Sequence, residues 1–287
     1  MTLKLLMEVS PQELLGALAE LQNHVLGYVK SMSLKCAVDL GIPAAIEKHG
    51  GTATLADIAA DAKVHPAKVA DLRRMMELLS ASGIFTSTAP CAGYDGATDD
   101  DTAAVQYGLT TAGRFLIGFR NISPMVPFCV NPLVVSSFFA MPDWLRTPCS
   151  HDAAGSLFEL AHGCSQWVMA SKDAVFNDIL NDSMAADSEL FLEVIILDKG
   201  RIFRGLSSLV DVGGGNGAAI RLIAKAFPRI KCTLLDRTNV VTAAAAAGDN
   251  NLSFVAGDMF ESIPHANAVL LKVDTHEFPP LRGFFPQ

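Results

Sequence analysis

Leu209-Val210-Asp211-Val212-Gly213-Gly214-Gly215-Asn216-Gly217-Ala218 is the stretch that decides the fold. Its first four residues form a short apolar strand. The glycines that follow let the backbone turn sharply and approach a ligand closely. An apolar helix, Ala218 to Phe227, comes next and is closed by Pro228. Downstream, Lys231 to Leu235, Leu252 to Val255 and Ala268 to Val273 are strand-like, with an alanine run, Ala243 to Ala247, between the first two. Strands alternating with helices predict a parallel, doubly wound α/β sheet.

The turn also marks a candidate site. A helix that starts at Ala218 offers its free N–H groups to an anionic group. Asp236 ends the next strand, nineteen residues after Gly217, where a carboxylate can accept hydrogen bonds from ribose hydroxyls. Asp258 follows the third strand in Ala256-Gly257-Asp258-Met259-Phe260. There it can accept from an adenine amino group while Met259 and Phe260 pack on the ring. Two adenosine ligands suit this arrangement. Gly213, Gly215 and Ala218 satisfy the NAD fingerprint formally. S-adenosyl-L-methionine fits better: Asp211 precedes the glycines, Gly213, Gly215 and Gly217 alternate, and the extra acids suit a cation.

Upstream the period is helical. Ser10-Pro11-Gln12-Glu13 is a helix start, with a serine cap, proline in the first turn and glutamate three residues after the cap. Leu14, Leu18, Leu21, Val25, Val29 and Met32 continue that helix as far as Gly41-Ile42-Pro43. Helices at Thr54 to Ala62 and Ala67 to Ser82, then strands at Ile84 to Thr86 and Gln106 to Thr110, predict a winged helix. Between Thr52 and Phe85, Lys63, Lys68, Arg73 and Arg74 are cancelled by Asp57, Asp61, Asp71 and Glu77. No basic face is left for phosphates, so the winged helix is structural or dimerising and no nucleic-acid partner is expected. Helical patterns resume from Leu133 to Arg204, including Leu157 to Ala170 and Ser188 to Phe203.

Composition narrows the function classes further. Half of the 287 residues are hydrophobic, and 30 acidic residues outweigh 22 basic ones for a net charge of −8. That balance argues against non-specific binding to nucleic acid or acidic lipid. The six cysteines are scattered without a C-x-x-C pair or histidines at zinc spacing, so no metal site is expected and reduced thiols in a cytoplasmic protein are. Asn121 to Pro142 is uncharged and long enough for a bilayer. Pro124, Pro127 and Pro132 interrupt it, which predicts a buried loop and a helix from Leu133 to Leu145, with no membrane partner.

Taken together, these motifs resemble the plant S-adenosylmethionine-dependent O-methyltransferases of the caffeic acid/flavonoid class. The resemblance rests on Gly205 to Gly215, Ala226-Phe227-Pro228, Leu235-Asp236, Gly257-Asp258-Met259-Phe260 and Leu270-Leu271-Lys272. Upstream it rests on Asn23-His24, Gly27 to Met32, Leu40 to Pro43, Tyr107 to Thr110, Ala161-His162-Gly163 and Phe176-Asn177-Asp178. It implies a dimerising winged-helix domain over residues 1–118, a helical connector lining the acceptor pocket over 119–205, and a partial Rossmann-like donor domain over 206–287. Cofactor contacts are implied at Gly213, Asp236, Asp258, Met259 and Lys272, and an acceptor pocket at Trp167, Phe176 and Met184. For those three, packing within a helical core is the competing reading. His162 would border the same pocket.

The implied reaction aligns a sulfonium methyl with an acceptor oxygen and removes a proton. Phenols titrate near about 10, so a histidine base speeds transfer at neutral pH. His276 lies four residues after Lys272, the offset at which the resembling family carries its base. However, Val273 stands where that family has tryptophan, Pro279-Pro280 interrupt the following helix, and Arg237-Thr238 replaces Leu-Pro after Asp236. The tail 273–287 therefore reads as atypical, as if translation ran from an exon into an intron. On that reading the chain is a C-terminally shortened form, expected to bind the donor weakly and turn over little. The rival functions are a catalytically inactive dimerisation partner of a full-length relative and an NAD-dependent oxidoreductase. The leading expectation is methyl transfer to a small phenolic acceptor by a homodimer, or by a heterodimer with a relative.

Overall fold

The computed structural model describes residues 9–88, 105–118, 121–146, 155–238, 240–241 and 251–271. Lys272, His276, the alanine run 243–247 and the tail 273–287 lie outside the described residues. The chain forms two compact units, residues 1–119 and 120–287.

In the first unit the serine cap works as a reciprocal box. The Glu13 N–H donates to Ser10 Oγ at 3.2 Å, and the Ser10 N–H donates back to the Glu13 carboxylate at 3.4 Å. The single long helix expected here is two, Pro11–Val25 and Gly27–Asp39, parted at Leu26. Gly41 (φ +66°) ends the second helix and also leads into a third, Ile42–Lys48. Pro43 sits in the first turn of that helix, where a missing N–H loses no hydrogen bond.

Helices Leu55–Asp61 and Val69–Ala81 then pack with a three-stranded antiparallel sheet. Its strands are β1 (Thr52–Thr54), β2 (Phe85–Ser87) and β3 (Gln106–Leu109), with β3 central. This is the winged-helix arrangement; β1 is too short to show an alternating pattern in sequence. Ile42, Ile46, Ile58, Leu72, Met76, Leu79, Phe85 and Tyr107 fill the core. Burial pushes the Tyr107 phenol above its ordinary value.

The second unit begins with short helices: Met125–Cys129, Pro132–Ser137, Met141–Arg146, Leu157–His162 and Gln166–Lys172. Gly163 (φ +72°) divides what the sequence presents as one helix from Leu157 to Ala170. The uncharged run 121–142 is not a buried loop: apart from Ser137, each of its residues is half-buried or exposed. The segment Met125–Arg146 has the length and hydropathy of a membrane span, but the backbone breaks around Val130-Asn131, where Asn131 caps the next helix. Ala174–Leu197 is the long helix of this unit, capped by Asp173 Oδ1, which accepts from the N–H groups of Val175 and Phe176.

The parallel sheet follows. Its strands are β4 (Ser208–Val212), β5 (Lys231–Asp236), β6 (Leu252–Ala256) and β7 (Ala268–Leu271), in the order β6-β5-β4-β7. Val210 aligns with Thr233 on one side and Val269 on the other. Asn267 sets that second pairing, because its Oδ1 accepts from the N–H groups of Ser207 and Ser208, each at 3.1 Å. Helix Ala218–Ala226 buries Ile220 and Ile223 on one sheet face, against Leu209, Leu234, Cys232 and Leu192 of the long helix. On the other face Val210, Val212 and Leu235 lie under Met259, Ile263 and Ala266.

Two outcomes test this packing. Ile220→Ala, at a fully buried position, is expected to lower unfolding stability by about 2–5 kcal/mol in urea titration. The Cys232 thiol is pushed up from 9.0 to about 11, first by burial and then by the Asp211 carboxylate. A raised thiol favours the folded state fully below pH 9.0, and that contribution is lost as pH rises toward about 11. Native Cys232 should therefore resist alkylation at pH 8 while exposed Cys36 reacts, which peptide mapping after iodoacetamide would show.

Candidate active site

The site is built where strands β4, β5 and β6 end. Val212 pairs with Leu235, and Asp236 with Ala256, so the three carboxyl ends lie side by side. The chain leaves β4 through Gly213 (φ +70°), Gly215 (φ +57°) and Gly217 (φ +80°), a left-handed series that side chains rarely adopt. The Gly213 N–H donates to the Leu235 carbonyl at 2.8 Å, continuing the β4–β5 ladder by one residue.

The glycines differ in what surrounds them. A Cβ on Gly213 or Gly215 would meet nothing within 4 Å, so these two present bare backbone to open space. At Gly214 a Cβ would lie 2.6 Å from the Asp211 carboxylate. Gly217 caps the helix and has Leu234 Cδ1 3.1 Å from where its Cβ would be, so it serves close helix–strand packing. Asp211 itself is 2% exposed. Its carboxylate is buried beside Gly214 and does not face the open side.

Asp236 is the centre of the arrangement. Its Oδ2 accepts the Gly215 N–H at 2.8 Å, its Oδ1 accepts the Arg237 N–H at 2.7 Å, and its carbonyl accepts the Gly257 N–H at 3.0 Å. One residue thus ties the turn after β4, the exit of β5 and the exit of β6. Motif spacing had placed Asp236 near the turn, but the direct contact with Gly215 and the second clamp from Arg237 are visible only in three dimensions. Asp258 is exposed, and its Oδ1 accepts the Phe260 N–H at 2.9 Å, fixing the chain beyond β6. Met259 packs down on Val210, Val212 and Leu235, while Phe260 stays 46% exposed.

These residues fit an adenosine-bearing ligand. Each carboxylate oxygen of Asp236 has accepted one N–H and keeps lone-pair capacity for ribose hydroxyls. Asp258 keeps capacity for an amino group, and the turn leaves room above Gly213 and Gly215. Lys272 and His276 lie outside the described residues.

The residues assigned to the acceptor separate. Phe176, 2% exposed, is in the core of an aromatic cluster, with ring centroids 6.2 Å from Phe128 and 6.1 Å from Phe158. Met184 packs against the same cluster. Trp167, on helix Gln166–Lys172, is 44% exposed. The His162 ring packs at a tilt against Phe158, ring centroids 4.5 Å apart, with Nε2 2.8 Å from the Leu133 carbonyl and 3.4 Å from Ser136 Oγ. No group of three or more metal-ligating side chains occurs among the described residues.

Comparison with known proteins agrees with this geometry. Residues 141–279 match the O-methyltransferase domain family and residues 22–118 the O-methyltransferase dimerisation domain. The first match runs past Lys272 and includes His276. Acetylserotonin O-methyltransferase 1 of Oryza sativa subsp. japonica is 42% identical over 273 residues, covering 93% of this chain and 71% of that protein. O-methyltransferase ZRP4 of Zea mays is 41% identical over 285 residues, covering 95% and 74%. Among solved structures, the pyocyanin biosynthetic protein PhzM aligns with a TM-score of 0.65 at 25% identity, covering 90% of this chain and 71% of that one. Human N-acetylserotonin methyltransferase shares the fold, with a TM-score of 0.61 at 16% identity over 88% and 69%.

The Asp236 hub is open to test without any ligand. Asp236→Asn would set an amide NH2 against one of the two backbone N–H donors. The expected loss is about 1–3 kcal/mol of folding stability, read as a lower urea midpoint at unchanged slope.

Proposed function

The chain belongs to the S-adenosylmethionine-dependent O-methyltransferases, and from that membership we propose that its acceptor is a small phenolic compound and that the edge formed by β4, β5 and β6 holds the donor. The observation that carries the donor assignment is the Gly215 N–H closed onto the Asp236 carboxylate beside an open turn. A bound S-adenosylmethionine would supply an activated methyl group. Gly213 and Gly215 would pass under it, Asp236 would accept from its ribose, and Asp258 with Met259 would hold its adenine. Lys272 is assigned to the same ligand by motif position.

On the acceptor side, Trp167 would contact the substrate directly, whereas Phe176 and Met184 would shape the pocket wall from the aromatic cluster. His276 is assigned as the base that takes the hydroxyl proton. Relatives named for acetylserotonin and for a pentadecatrienyl resorcinol support an aromatic hydroxyl as the acceptor. The NAD-dependent reading is not favoured, because the glycine pattern that allowed it now sits within an O-methyltransferase match.

The dimerisation domain pairs chains. Leu15, Leu18, Leu21 and Val25 stand 51–66% exposed along helix Pro11–Val25, an apolar face that a second chain would cover. A second copy is the proposed partner in the cytoplasm, and a full-length relative could take the same place.

Purified chain incubated with methyl-labelled S-adenosylmethionine and a panel of phenols and hydroxyindoles should transfer label to at least one aromatic hydroxyl, slowly, in keeping with the weak donor binding expected of the atypical tail 273–287. Label transfer to none of them, with no donor binding by calorimetry, would overturn the reading. Separately, a Leu18→Glu/Leu21→Glu chain should elute as a monomer in light-scattering chromatography where the parent elutes as a dimer.

A further inference from the structure

Arg237 brings a positive charge to the rim of the donor site. It is the first residue beyond β5, and its Cα lies one peptide, about 3.8 Å, from that of Asp236. Its N–H donates to Asp236 Oδ1 at 2.7 Å, which fixes where its side chain leaves the backbone. The side chain is exposed, and among the described residues its guanidinium makes no ion pair. Three acids stand at this edge, Asp236, Asp258 and the buried Asp211, and the Arg221 guanidinium lies beside the turn, its Nε 3.5 Å from where a Gly217 Cβ would be.

Methyl transfer changes the charge of what this edge holds. The sulfur–methyl bond breaks, an oxygen–methyl bond forms, the hydroxyl proton leaves, and the sulfur passes from cationic sulfonium to neutral thioether. The acids therefore favour the charged donor over the spent one, and a nearby guanidinium opposes them. We propose that Arg237 is a specificity-determining residue that shifts the donor site toward the neutral spent cofactor, S-adenosylhomocysteine, and away from S-adenosylmethionine. This rests on the donor-site assignment made above. For an exposed unit charge acting through a water-like dielectric, Coulomb's law puts the discrimination at about two- to fivefold in the ratio of dissociation constants.

The test is calorimetric or dialysis titration of both compounds into the parent chain, Arg237→Gln and Arg237→Lys. Arg237→Gln should tighten S-adenosylmethionine by about two- to fivefold and leave S-adenosylhomocysteine unmoved. The difference should shrink at about 0.5 M salt, where exposed charges are screened. Arg237→Lys keeps the charge and should behave as the parent. Equal weakening of both ligands in Arg237→Gln would mean that the guanidinium stacks on adenine, and no change in either would mean that its charge is not felt; each overturns the proposal while leaving the donor site standing. A parent chain that binds neither compound removes the donor-site assignment, and this proposal with it.

Discussion

The carboxylate of Asp236 holds the catalytic half of this molecule in register. Three strand exits must lie side by side for a nucleoside to rest on them, and a parallel sheet alone does not control where its loops go. Asp236 controls them by accepting from the turn after β4 and from its own exit, while its carbonyl accepts from the exit of β6. Hydrogen bonds to a charged acceptor are about twice as strong as neutral ones. The turn can reach Asp236 because Gly213 and Gly215 take up left-handed backbone and Gly214 leaves space for Asp211 beside it. Acid and glycines therefore depend on one another.

The first unit uses the same economy of parts for a different end. Its winged-helix architecture is one that can bind DNA, but its recognition surface carries as many acids as bases. Several are spent locally: Asp61 pairs with Lys48 and His49, and Asp71 with Lys68 and Arg74. Such exposed pairs add little stability. They do leave residues 52–85 without a net charge, and Leu15, Leu18, Leu21 and Val25 form an exposed apolar face on the first helix of this unit.

The second unit also holds the aromatic cluster of Phe128, Phe158 and Phe176. An apolar residue at helical spacing is written alike whether it packs in a core or lines a pocket. Phe176 resolves toward the core and Trp167 toward the surface, so the same motif reading covers two physical situations. His162 is similarly decided: its Nε2 is held at the Leu133 carbonyl, which orients the ring against Phe158.

What the amino-acid order determined by itself was everything carried by short-range rules. The Ser10–Glu13 capping box, the winged-helix helices, the four parallel strands and the glycine turn were legible, because each depends on residues a few positions apart. Tertiary structure alone decided the rest. It divided the long helices at Leu26 and Gly163, added β1, left the uncharged run 121–142 half-exposed, and sank Asp211 while raising Asp236 to the rim. Burial and strand register depend on partners far along the chain, such as Leu235 for Gly213 and Asn267 for Ser208. No local pattern records which of two acids will meet water, since that is set by the layer of structure that closes over one of them.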